Sequence, residues 1–185
     1  MDDGYTGYSG TRRHPAQAET RYIHKLISDM RRIGANGVIS NSAGEDTAVE
    51  ALNAYAFARF ARDKTATPAG VIDEFAGFVA KDADKARLAR ILRFVENHST
   101  WQESMPEKLR LPNFDTGDLD SAARALEELS FVHPRTTPKM ALPEPAACYL
   151  NRIRERLNDI VAKTVTLSSP PSHTQSEHPP GTPES

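Results

Sequence analysis

GANGVISNSAGEDTAVEALNAYAFARFARD, residues 34–63, decides the fold class. A short apolar run, Val38-Ile39, leads into a polar loop from Asn41 to Gly44. Glu45, Asp46 and Thr47 then open a helix, with the acids where the positive end of its dipole favours them. Val49, Leu52, Ala56 and Phe60 recur at helical spacing as one apolar stripe, with Tyr55 beside it. Ala48, Ala51, Ala54, Ala58 and Ala61 keep this helix slim enough for close packing. Val38-Ile39 is too short to stand as an isolated strand, whose edges would both be unpaired.

On either side the pattern is helical. Tyr22, Ile23, Leu26, Ile27, Met30 and Ile33 give one apolar face upstream, and Gly34 stops that helix. Downstream, Thr67-Pro68 starts a helix with a capping hydroxyl and a proline at its first position. Val71, Ile72, Phe75, Phe78 and Val79 follow on it. A helix over 83–97 turns Leu88, Ile91, Leu92 and Val95 inward, and residues 101–113 are broken by Pro106 and Pro112. Asp118 is expected to cap a short helix carrying Ala122, Leu126 and Leu129. A proline-rich connector over 132–145 precedes a helix from about Pro145 to Val165. Its seam of Ala146, Leu150, Ile153, Leu157 and Ile160 is heptad-like, and serves either to dock the helix on its own domain or to bind a partner helix.

The expected class is mainly α, a helical domain with at most one or two short strands. Residues 1–15 form a flexible N-terminal loop and 16–165 the helical domain. Residues 166–185 form a disordered tail, because from Ser168 onward no large apolar side chain offsets the entropy of ordering.

With 185 residues the chain is one domain, or one domain plus tails. Its net charge of -2 argues against a nucleic-acid-binding face, which needs concentrated positive charge. Three small basic clusters, Arg12-Arg13-His14, Arg31-Arg32 and Arg152/Arg154/Arg156, read as solvated helix faces. The single cysteine, Cys148, excludes an intramolecular disulfide and a cysteine-rich zinc site, and reads as a packed thiol. No apolar run approaches the ~20 residues that span a bilayer, and MDDGYTGYSG lacks the pattern of a secretory signal. The expected location is cytoplasmic, with neither membrane nor nucleic acid as partner.

Candidate chemistry is sparse. Glu45 and Asp46 lie in a loop of the kind where α/β proteins gather their sites, and could hydrogen-bond hydroxyls, hold a cation or act as acid and base. The reading that spacing favours is that both acids serve as charges at a helix N-terminus, contributing up to ~1 kcal/mol each. Adjacent helical residues point about 100° apart, so at most one faces a given ligand. Tyr5 and Tyr8, followed by Arg12-Arg13-His14, form either a second ligand-contacting loop or an exposed, mobile terminus. The six histidines show no metal-ligand spacing. Asp115 to Asp120 lacks the glycine position and bidentate glutamate of a calcium loop. There is no phosphate-binding glycine-lysine loop, no GxGxxG and no GxSxG, so no cofactor is expected and no metal.

Ile27-Ser28-Asp29-Met30, Gly34-Ala35-Asn36-Gly37-Val38-Ile39, the run Leu52 to Arg59, and Val71-Ile72-Asp73-Glu74-Phe75 occur in an order that resembles the last part of a (β/α)8 barrel. The similarity is to an uncharacterised glycoside-hydrolase-like family related to α-glucuronidases. It implies that 16–63 form the helix-strand-helix end of a barrel and 64–165 appended helices. Arg62-Asp63 stands where a Trp-Asp is common in that family, and strands one to six and most of seven are missing. The family's catalytic carboxylates lie on those strands, so the catalytic residues are unknown. Asn41, Glu45, Asp46 and Tyr8 become expected substrate-binding positions, with a carbohydrate as ligand. The function implied is a fragment or remnant of a carbohydrate-active protein, not catalytic alone. The alternative is a non-catalytic helical interaction module that self-associates or binds a partner through helices 48–61 and 146–161.

Overall fold

The computed structural model describes residues 18–35, 37, 47–137, 142 and 144–168. Val38-Ile39, the positions Tyr8, Asn41, Glu45 and Asp46, and both chain ends lie outside these described residues.

Within them the protein is helical: α1 (Thr20–Arg32), α2 (Thr47–Arg62), α3 (Pro68–Val79), α4 (Lys85–Asn97), α5 (Thr100–Ser104), α6 (Ala122–Ser130) and α7 (Ala146–Ser168). Short 3-10 turns cover Asp82–Asp84 and Glu107–Leu109. No strand forms among the described residues; one isolated antiparallel bridge joins Ala80 to Pro134. The helices pack as neighbours in sequence: α1 on α2, α3 on α4, and α6 on α7, with α7 also crossing α2, α3 and α4.

Local chemistry sets most boundaries. Gly34 adopts φ +79, a left-handed conformation that glycine reaches without strain. The Gly34 N–H then donates to Arg31 O and the Ala35 N–H to Met30 O, closing α1. Thr67 Oγ1 accepts from the Gly70 N–H at 3.2 Å, with Pro68 next, as the sequence predicts for α3. For α6 the cap is Ser121, not Asp118: Ser121 Oγ accepts from the Arg124 N–H at 3.2 Å. Asp118 instead pairs with Arg90 at 3.0 Å and Arg124 at 2.9 Å, tying α4 to the segment before α6. A serine one residue before the helix satisfies its open N–H groups at shorter reach than an acid several residues upstream.

The core is built from the expected stripes. Leu52, Ala56 and Phe60 of α2, Val71, Ile72, Phe75 and Val79 of α3, and Leu88, Ile91, Leu92 and Val95 of α4 are all buried. The α7 seam is buried throughout and docks on the domain's own helices, so it is taken up inside the fold. On α1 the apolar positions split: Ile23 and Ile27 are buried, while Leu26 is 38% and Ile33 72% exposed.

Candidate functional site

A cluster of charged side chains lies inside the helical core. Glu19 and Glu96 are each 1% exposed and Arg156 2%. Such residues are almost never fully buried unless paired, so their arrangement calls for a reason.

Glu96, in the last turn of α4, is the centre of the cluster. Its Oε2 accepts from the Thr20 hydroxyl at 2.7 Å, and its Oε1 accepts from the Arg21 backbone N–H at 2.8 Å and from Arg21 Nε at 3.0 Å. The first N–H groups of a helix have no partner within it, and here a carboxylate from another helix provides one. Glu96 thus caps α1 from across the core, where the positive end of the helix dipole and the Arg21 guanidinium both favour a negative group.

Glu19 is the residue just before α1, in the position from which side chains normally cap, yet its side chain makes no cap hydrogen bond. Its backbone N–H donates to Asn53 Oδ1 of α2 at 3.0 Å. Neither oxygen of its carboxyl has a hydrogen-bond partner among the described residues. Burial, reinforced by the negative charge of Glu96, pushes the Glu19 pKa up to about 8. The Ser99 hydroxyl, Arg21 and Arg156 pull it down without cancelling that rise. At neutral pH Glu19 is therefore a neutral carboxylic acid beside an occupied carboxylate.

Arg156 enters from α7. It donates through Nη2 to the His98 carbonyl at the end of α4, while its Nε has no partner. Sequence reading assigned Arg156 to a solvated basic face, and the structure corrects this. Arg156 lies on the same stripe as Ile153, Leu157 and Ile160, and helical geometry turns that stripe inward. Glu96 likewise falls four residues after Leu92, on the buried face of α4. A charged residue in register with an apolar stripe was the available signal for both.

A surface groove of about 280 Å³ begins one residue further along α1 than Arg21, at Tyr22. Tyr22, Lys25, Leu26 and Asp29 line one wall, at the three- and four-residue steps that share a helix face. Met105, Leu109 and Leu111 line the other. Leu109 is 53% exposed, and Lys25 and Asp29 form an ion pair at 2.5 Å along the edge. Arg21 joins the two levels: it donates through Nη1 to the Pro112 carbonyl, and its guanidinium lies 4.4 Å from the centre of the Phe114 ring. Gln102 does the same on the other wall, accepting from the Leu111 N–H at 3.2 Å and donating its own N–H to Ser99 Oγ at 3.1 Å.

Among the described residues no group of three or more His, Cys, Asp or Glu could hold a metal ion. No helix among them is long and apolar enough to cross a membrane. The sequence-predicted positions Tyr8, Asn41, Glu45 and Asp46 are outside the described residues, so the groove and the charged cluster rest on other side chains. No family model, no curated protein and no solved structure matches this chain.

Proposed function

We propose that this protein is a non-catalytic helical interaction module that self-associates through the groove between α1 and residues 105–111. The observation that carries this reading is the outward face of α1. Of the exposed large apolar side chains, Leu26 and Leu109 line this groove from opposite walls, and Ile33 lies two helical turns beyond Leu26 at the end of α1, while Phe131 and Val165 do not line it. Contiguous exposed apolar side chains rimmed by polar ones mark interaction surfaces.

The occupant is a second copy of the chain, because the face is complementary to itself. Lys25 and Asp29 stand one helical turn apart with opposite charge. Two copies of α1 laid antiparallel about a two-fold axis bring Lys25 of each copy opposite Asp29 of the other, and Ile33 and Leu109 into reach of the facing groove. The carbohydrate reading depends on Tyr8, Asn41, Glu45 and Asp46, and no described side chain adds to it. The buried acid pair does not serve glycoside hydrolysis either. That chemistry needs two carboxyls open to a sugar, and Glu19 and Glu96 are both sealed from solvent.

Sedimentation velocity across a wide range of protein concentration tests the proposal. A concentration-dependent dimer is expected, lost in Leu26→Asp with helical circular dichroism retained. Lys25→Asp weakens it and the double exchange Lys25→Asp/Asp29→Lys restores it. A chain that stays monomeric at every concentration overturns the reading.

A further inference from the structure

Both walls of the groove are tied by hydrogen bonds to residues that neighbour the polar cluster. The α1 wall starts at Tyr22, immediately after the Thr20–Arg21 pair that Glu96 holds. The opposite wall is held by Arg21 on the Pro112 carbonyl and by Gln102 on the Leu111 N–H, with Gln102 in turn bonded to Ser99. Glu19 immediately precedes Thr20 and Arg21 in the chain, is 1% exposed, and has neither carboxyl oxygen within hydrogen-bonding geometry of a partner, with the Ser99 hydroxyl the polar group that acts on it. Glu96 already caps α1 and pairs with Arg21, so the one cation of the cluster left to favour a charge on Glu19 is Arg156, and its attraction is outweighed by burial and by Glu96.

We propose that Glu19 is a proton-operated latch for the groove. With its carboxyl protonated, the start of α1 stays seated on Glu96 and the two walls keep their spacing. With the carboxyl ionised, a second negative charge appears beside Glu96 in a buried site, and the start of α1 is driven off its seat. The inference rests on the reading of this groove as the self-association surface, and it names how that surface is regulated.

The charges that face Glu19 come from three helices. Glu96 of α4 opposes its ionisation, while Arg21 of α1 and Arg156 of α7 favour it. The Ser99 hydroxyl also favours the ionised form, and α2 contributes only the uncharged Asn53 amide, at the Glu19 backbone. Burial is the largest influence, and with Glu96 it outweighs the rest, which places the transition near pH 8. The latch is closed at neutral pH and opens on the alkaline side.

The test follows the methyl resonances of Leu26, Leu109, Leu111 and Met105 from pH 6 to 10 by NMR, alongside the Glu19 side-chain carboxyl carbon. In the wild-type protein the groove methyls are expected to shift with one midpoint near pH 8, shared with Glu19. Glu19→Gln, which keeps the shape of the neutral acid, should hold them at their low-pH positions throughout. Sedimentation on the same samples should show the dimer lost above the midpoint in wild type and kept in Glu19→Gln. Groove methyls that stay still while Glu19 titrates overturn the latch, as does the same methyl titration in Glu19→Gln. If the variant does not fold, the wild-type titration decides alone: a Glu19 carboxyl with an ordinary midpoint near 4.5 overturns it. A protein that never dimerises but shows the shared midpoint refutes the self-association reading and leaves the coupling of Glu19 to the groove standing.

Discussion

The Thr20 hydroxyl donates to Glu96 Oε2 at 2.7 Å across 76 residues of sequence. That bond seats the first turn of α1 on the last turn of α4. The Arg21 N–H at 2.8 Å and Arg21 Nε at 3.0 Å complete the seat. Three donors therefore depend on one buried carboxylate. Removing it leaves Arg21 without its counter-charge and two α1 donors without a partner.

Glu96→Ala is accordingly expected to lower the free energy of unfolding by about 3–5 kcal/mol, measured by urea titration at neutral pH. Glu96→Gln should cost less, because its side-chain oxygen still accepts. The same variant removes the charge next to Glu19, so the Glu19 pKa should fall below about 8 yet stay above 4.5, since burial is the larger cause of its rise. A carboxyl titration of Glu19 unchanged in Glu96→Gln would contradict the pairing.

His98 gives the protein an acid limit. Burial, with some help from Arg156, lowers its pKa below 6.5, while Glu103 opposes the shift. Its ring lies 4.5 Å from Phe94, centre to centre. The folded state keeps His98 neutral after the unfolded chain has begun to take up a proton. Stability should therefore be lost as pH falls below 6.5 towards the folded-state value, at a slope of up to about 1.4 kcal/mol per pH unit. Glu19 acts in the opposite direction. Its folded pKa is raised, so its contribution is complete below 4.5, declines as pH rises to about 8 and is constant beyond. Unfolding curves for His98→Gln should lose the part of the slope just below pH 6.5, keep the loss at lower pH that carboxylates held below their ordinary range supply, Asp84 beside His133 among them, and keep the decline toward alkaline pH.

Leu157 is fully buried in the α7 seam. Leu157→Ala should cost about 2–5 kcal/mol and leave any dimer affinity unchanged when measured below the onset of unfolding. Loss of association without loss of stability would place the seam at an interface instead of in the core.

Ser121 and Asp118 separate a cap from a surface ion pair. Ser121→Ala should cost about 1 kcal/mol through the lost hydrogen bond to the Arg124 N–H. Asp118→Ala should cost less than that, because its pairs with Arg90 and Arg124 are half exposed. Paired thermal melts check the order, and an Asp118 effect exceeding that of Ser121 would restore Asp118 as the controlling residue.

How far the sequence carries depends on the range of the interaction. The ends of α1 and α3 are decided by Gly34 and Thr67-Pro68, each acting within a turn of its own position. The Ser121 cap also lay within local reach, but several acids and hydroxyls compete over 115–121, and only the folded geometry selects among them. The groove was illegible because Leu26 and Ile23 belong to the same apolar run, and spacing alone does not say which part of a wide stripe meets a neighbouring helix.

By itself the sequence determined a mainly helical fold and the apolar stripes, because apolar periodicity is repeated every turn and needs no distant partner; that the α7 seam docks on the chain's own helices was decided by the tertiary structure. The tertiary structure alone decided that Glu19, Glu96 and Arg156 would meet. Each charge looks ordinary on its own helix, and only packing α1, α4 and α7 together buries all three and lets Glu96 and Arg156 act on the Glu19 carboxyl.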